Sequence, residues 1–275
     1  MKRSPHPSIG LTWDGLPKCL GDFLPLVRSK DPEKIRLVLT GLNLSRCISA
    51  TSDPDLSSIT NPPTYSPSDL DKVWKRIEGV IDQIGIRLER PQWTGPHLST
   101  KAGPNGIAMT SSIRDLTLLP TELRESLYVL GGEELRSYMG TLDNLDPDQV
   151  AKLGFHEKPK QLIRKLSIIH DPEAKTRVIA IFDYWSQTAL KPLYDQLMDL
   201  VSKFKGDCTY DQGSFRKFLT AKNNWFNSTD LTSCTDRLPV ELQERILAKI
   251  IDPEYAKAWR HVMVGYPFFF NGKEY

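Results

Sequence analysis

The sequence predicts a helix-rich α+β fold, and three features carry that expectation. Leu70, Val73, Trp74, Ile77, Val80, Ile81 and Ile84 recur at the spacing of one helical face. Thr176 to Phe182 is a β-branched, apolar run and reads as a buried strand. Near the end, Asn271–Gly272 follows three phenylalanines and is the best short hairpin signal in the chain, because both residues tolerate the positive φ of such turns. At 275 residues, the length suits one large domain or two modest ones.

In chain order, the first helix is expected at Asp31–Pro32, a capping carboxylate followed by proline at the first helical position, running toward Gly41. Residues 50–68, rich in Ser, Thr, Pro and Asp, read as a loop. Ser68 with Asp71 is the expected cap of the striped helix, whose wet side carries Lys72, Lys75 and Arg76. Gly103-Pro104-Asn105-Gly106 is turn chemistry and matches no phosphate-cradling motif. Two short helices are expected over 120–130 and 133–141, parted by Gly131–Gly132. Trp185 to Phe204 is helical, and Pro192 either kinks that helix or begins its regular part. A short helix follows Ser214, and Trp225 to Asp230 reads as a strand ending in a carboxylate. Pro239 to Ile251 is helical, and Asp252–Pro253 starts a further helix reaching about Met263.

Composition narrows the function classes. Lys plus Arg total 36 against 34 for Asp plus Glu, a net charge of +2, so any basic surface is local rather than global. No apolar run approaches the roughly 18 residues a membrane helix needs. The basic start, Lys2 and Arg3, is followed by Pro5 and Pro7, which oppose an amphipathic presequence helix. Cys19, Cys47, Cys208 and Cys234 are scattered without a CxxC pair, which speaks against a zinc site or a secreted disulfide framework. HExxH, GxSxG and GxxxxGK[ST] motifs are absent, and the five histidines share no metal-ligand spacing.

Two stretches could carry chemistry. Asp230-Leu231-Thr232-Ser233-Cys234-Thr235-Asp236 places a carboxylate at a strand end, then small hydroxyl residues and a second carboxylate. Hard oxygen ligands of this kind suit Mg²⁺ working on phosphates, while the plainer reading is that one Asp caps the next helix. The second stretch, residues 158–177, holds Lys158, Lys160, Arg164, Lys165, Lys175 and Arg177 against Asp171 and Glu173, six cations less two acids, or +4. Lys175 and Arg177 point to the same side of their strand and would suit a triphosphate. The plainer reading there is surface ion pairing with Asp171 and Glu173.

These residues together resemble a known family. Lys165 to Trp185 is similar to the basic fingers motif of mitoviral RNA-dependent RNA polymerases, and Asp230 to Pro239 resembles the first catalytic palm motif of the same family. Gly206 to Gln212, and Pro96 with Gly103-Pro104-Asn105-Gly106, are similar to further family segments. Cys208 and Cys234 stand where the family has Gly and Ala. No Asp-Asp pair occurs anywhere in the chain, whereas the family continues into a template and nucleotide motif and a Gly-Asp-Asp hairpin.

The resemblance implies the fingers and the beginning of the palm of a right-hand viral polymerase, with the palm incomplete and Phe268, Phe269 and Phe270 exposed. It divides the chain into a helical and fingers region over 1–157, fingers over 158–222 and a truncated palm start over 223–275. The implied activity is RNA-templated nucleotidyl transfer in viral RNA replication, inactive in this chain alone. In the implied site, Asp230 binds the catalytic Mg²⁺ (or Mn²⁺), and Asp236 senses the ribose 2′-hydroxyl. Lys175, Arg177 and Lys165 meet the nucleotide. Implied partners are RNA, nucleoside triphosphates and a separate polypeptide completing the palm, with no membrane segment. The family also implies a mitochondrial setting, with the cytoplasm second, and a Met start without the catalytic hairpin fits an endogenised viral remnant as the source. The alternative function is a non-catalytic RNA-binding remnant that uses the basic strand as a backbone contact surface.

Overall fold

The computed structural model describes residues 10–47, 53–145, 162–171, 175–214 and 233–275, in two units. One comprises Met1–Pro54 with Ile168–Arg177, the other Asp55–Ser167 with Val178–Tyr275. Helices dominate and a small mixed sheet accompanies them, in keeping with the α+β expectation.

In the smaller unit, α1 (Leu24–Arg28) packs on α2 (Pro32–Leu42). Asp31 caps α2 as expected, its side chain accepting the Glu33 N–H at 3.0 Å with Pro32 at the first helical position. Arg28 donates from Nε and Nη2 to the two oxygens of Asp14 at 2.9 and 3.0 Å, and the guanidinium holds that carboxyl well below the usual range. Val38 is buried, while Leu37, Leu39 and Leu42 stay exposed.

The larger unit begins with α3 (Ser57–Thr60), inside the stretch expected to be loop, and α4 (Pro67–Ile84). The cap of α4 is Ser66 with Asp69, two residues earlier than the expected Ser68 and Asp71. Pro67 explains the shift: with no N–H to satisfy and φ already helical, it takes the first helical position and leaves Ser66 as the cap. Of the apolar stripe, Leu70 and Ile81 are buried, but Val73, Val80 and Ile84 remain exposed.

The core lies among α5 (Ala108–Leu118), α6 (Thr121–Asp143), α7 (Tyr184–Ser202), α9 (Val240–Ile250) and α10 (Pro253–Val264), with the single turn α8 (Cys234–Arg237) before α9. Leu123, Leu127, Leu135, Met139, Trp185, Tyr255 and Val262 are 1% exposed or less. Each such burial stabilises by roughly 1.5–3 kcal/mol before entropy is counted. The two short helices expected around Gly131–Gly132 are consecutive segments of α6, which breaks at Gly132 with φ 74°. Pro192 lies within α7 and does not begin it, because Asp183 caps the helix by accepting the Ser186 N–H at 2.8 Å. Asp252 caps α10 in the same way, accepting the Tyr255 N–H at 2.9 Å.

The sheet runs β2-β1-β3-β4, with β1 at Arg164–Asp171, β2 at Lys175–Phe182, β3 at Phe269–Phe270 and β4 at Lys273–Glu274. β2 was expected to be buried, yet Ile179 and Ala180 are exposed, as befits the outermost strand of the four. The expected hairpin is present, with Asn271 at φ 48° and Gly272 at φ 79°. Phe268, Phe269 and Phe270 are half-buried, not exposed, because β3 pairs in parallel with β1 at Lys165 and Phe269. Phe268 packs edge-to-face on Phe182 with ring centroids 5.1 Å apart. The strand expected over 225–230 and the helix expected after Ser214 lie outside the described residues.

Two buried polar centres lock these elements. Arg164 is fully buried beneath Phe182, Tyr266 and Phe268, its guanidinium carbon 4.9, 5.4 and 5.5 Å from their ring centroids. It donates to the carbonyls of Val262, Met263 and Tyr266, tying β1 to the end of α10. The second centre is Asp115 on α5, which accepts from Asn105 Nδ2 at 2.7 Å and from the Tyr184 N–H at 3.1 Å. Asn105 also donates to the Leu162 carbonyl at 2.9 Å and accepts the Leu162 N–H at 3.1 Å.

Burial pushes the Asp115 carboxyl up to about 6, with the neighbouring charge of Asp183 acting in the same direction. The folded carboxyl therefore keeps its proton to higher pH than the unfolded one. Its stabilising contribution is full below about pH 4 and is lost as pH rises through about 6, a swing of about 3 kcal/mol. Asp183, also raised by burial, adds to the fall in the same direction. Asp115→Asn should flatten the fall in melting midpoint between pH 4 and 7; an unchanged slope in the variant would assign it to other groups.

Candidate functional site

The residues singled out by chemistry fall in both units. Lys175 opens β2, and Arg177 follows two residues on. Arg177 is paired through Nε with Asp171 at the end of β1, and its side chain stays 57% exposed. The plainer reading of this stretch, an ion pair with Asp171, is therefore present in the hairpin. It does not neutralise the strand, since an exposed pair is weakly held and its guanidinium keeps donors open to solvent. Thr176 Oγ1 lies 3.4 Å from His170 Nδ1 across the same hairpin.

Lys165 lies in the larger unit, half-buried on β1 and in register with Phe269. Asp230 lies outside the described residues. Asp236 is exposed on α8, following Ser233, which takes a left-handed conformation at φ 51°. Its Oδ2 accepts the Ser58 hydroxyl at 2.8 Å, and its Oδ1 has a longer contact with Thr235 Oγ1 at 3.4 Å. Lys175 and Arg177 thus belong to the smaller unit, and Lys165 and Asp236 to the larger one.

Asp236 borders a cavity of about 420 Å³ whose walls include Tyr65, Leu238, Glu241, Trp259 and Met263. Arg237 fastens one wall, donating to the carbonyls of Asn61 at 2.9 Å and Pro62 at 3.0 Å, with a longer contact to Ser58 at 3.4 Å. Tyr65 donates its hydroxyl to Glu241 Oε2 at 3.0 Å, and burial beside that carboxylate raises the phenol. Glu241, at the start of α9, is held below the usual carboxylate range by its own backbone N–H, with Tyr65 and Arg260 adding to the effect. A second cavity, about 470 Å³, is lined by Trp93, Pro96, His97, Thr188, Lys191 and Gln196. There the Trp93 indole N–H donates to Thr188 Oγ1 at 3.0 Å.

Among the described residues no group of three His, Cys, Asp or Glu side chains could hold a metal ion. Asp236 alone does not make a metal site, and one of its oxygens is already engaged by Ser58. What it can do is accept a hydrogen bond from a hydroxyl at the cavity rim. No described helix is long and apolar enough to cross a membrane. The four cysteines are free, and Cys234 is exposed at the start of α8.

Sequence reasoning missed Ser58, Arg237, Asn105 and Asp115. Arg237 directly follows the carboxylate stretch, and its length and five donors are the available signal. Ser58 gave none, since a serine in a Ser- and Pro-rich stretch reads as loop.

A family model described as mitovirus RNA-dependent RNA polymerase matches residues 91–275. The RNA-directed RNA polymerase of Cryphonectria parasitica mitovirus 1 (strain American chestnut tree/New Jersey/NB631) is 29% identical over 241 residues, covering 82% of this chain and 29% of that protein. The chain therefore spans under a third of the length of the curated relative it matches. No solved structure matches.

The hairpin pair sets one expectation. Asp171→Asn should cost less than about 1 kcal/mol in urea unfolding, as for other exposed pairs. It should also strengthen retention on phosphocellulose, by leaving the cations of β2 uncompensated. Unchanged retention would show that Arg177 does not present its charge to solution.

Proposed function

The chain belongs to the mitovirus RNA-dependent RNA polymerase family, and from that membership we propose that it supplies the fingers and the first palm motif of an RNA-templated RNA polymerase. In this reading residues 1–157 are the helical and fingers region, 158–222 continue the fingers and 223–275 begin the palm. The observation that supports it is the matched span, 91–275, which includes the basic strand and the carboxylate stretch.

The roles follow from charge and reach. Lys175, Arg177 and Lys165 are the cations that meet the triphosphate of the incoming nucleotide, as the family pattern suggests. Asp236 accepts a hydrogen bond from the ribose 2′-hydroxyl; its exposure at a cavity rim supports this. Asp230 is the carboxylate that would hold a divalent ion, Mg²⁺ or Mn²⁺, whose charge offsets that of the phosphates. The 275 residues contain no Asp-Asp pair to hold a second ion, so by themselves they bind RNA and nucleotide without extending a primer. Viral RNA replication in mitochondria is the setting the family supports.

A purely RNA-binding role is separable by experiment. Lys175→Ala and Arg177→Ala should weaken RNA binding for all sequences alike, each lowering the slope of log K against log salt by about 0.7–0.9. Asp230→Ala should leave RNA binding intact but abolish the Mg²⁺ dependence of ATP binding measured by calorimetry. ATP binding that ignores both Mg²⁺ and Asp230 would favour the non-catalytic RNA-binding role.

A further inference from the structure

Asp236 is separated by 178 residues from the side chain that holds it. A carboxylate exposed on a one-turn helix has several open rotamers, and a hydroxyl-sensing group needs one. The charge-assisted bond from Ser58 Oγ to Oδ2, at 2.8 Å, selects one and, among the described residues, leaves Oδ1 with a single longer contact, 3.4 Å to Thr235. Ser58 is itself fixed. Arg237 grips the carbonyls of Asn61 and Pro62, and Tyr65 is bonded to Glu241 on α9, so the segment from Ser58 to Tyr65 is tied to α8 and α9 on both sides of the cavity.

We propose that Ser58 is a positioning residue for ribose selection: it orients Asp236 so that Oδ1, the more weakly engaged oxygen, meets a 2′-hydroxyl, and Arg237 holds Ser58 in place. This rests on the reading of Asp236 as the ribose-sensing carboxylate. Ser58 touches no nucleotide in this scheme and acts only through Asp236. Its loss therefore changes the preference for ribose over deoxyribose, more than the affinity for a triphosphate as such.

The test is calorimetric binding of ATP and of 2′-deoxy-ATP, each with Mg²⁺, to the whole 275-residue chain. Ser58→Ala should reduce the ATP to deoxy-ATP preference about fivefold, the scale of one hydrogen bond, with deoxy-ATP affinity unchanged. Ser58→Thr, which keeps the hydroxyl, should restore the preference, and Arg237→Ala should lower it. Melting midpoints guard against misfolding: if Ser58→Ala unfolds, the Thr and Arg237 variants carry the comparison. A wild-type preference lost in Asp236→Asn but unmoved in Ser58→Ala would overturn the positioning role and leave the reading of Asp236 standing. No wild-type preference for ATP would overturn both.

Discussion

A single buried carboxylate, Asp115, sets the geometry of the larger unit. It is 1% exposed and faces two donors, the Asn105 amide and the Tyr184 backbone N–H. Taking a carboxyl out of water is costly unless its oxygens are hydrogen-bonded, so wherever Asp115 goes, both donors must follow. That requirement docks α7 against α5. Through the second bond of Asn105 it also draws Leu162, two residues before β1, to the Gly103–Gly106 turn. The chain reaches β1 and β2 along a path fixed by that turn, and β1 then carries Arg164 into its aromatic cage.

Arg164 and Asp183 bracket the same hairpin. Arg164 opens β1, and Asp183 follows β2 directly as the cap of α7. Both are buried, each within the electrostatic field of the other, and Asp183 satisfies its own oxygens with Ser186 Oγ and N–H at 2.6 and 2.8 Å. Both are thus buried, whereas Arg177 is exposed.

Much of this was legible in the sequence where local chemistry decided it. The Asp31–Pro32 and Asp252–Pro253 helix starts, the break at Gly131–Gly132 and the Asn271–Gly272 turn depend on residues adjacent in the chain, and they lie where the residues put them. β1 escaped notice because its identity depends on partners: Arg164 and Lys165 read as part of a cationic stretch, and only the cage from Phe182, Tyr266 and Phe268 makes Arg164 a core residue. Asn105 was read as a turn residue for a similar reason, as its bonds to Asp115 and Leu162 span 10 and 57 residues. At the candidate site the carboxylate and the cations were visible by type and order. The Ser58 contact was not, because nothing within 50–68 indicates that this stretch crosses to α8.

If this chain works as a segment of an RNA polymerase, it should do so within the frame of a relative. The most direct measurement grafts residues 91–275 in place of the aligned segment of the Cryphonectria parasitica mitovirus 1 polymerase and follows primer extension on an RNA template with Mg²⁺. The chimera should extend the primer, and the same chimera carrying Asp230→Ala should not. A chimera that folds but fails to extend, or one that extends equally well without Asp230, would contradict it.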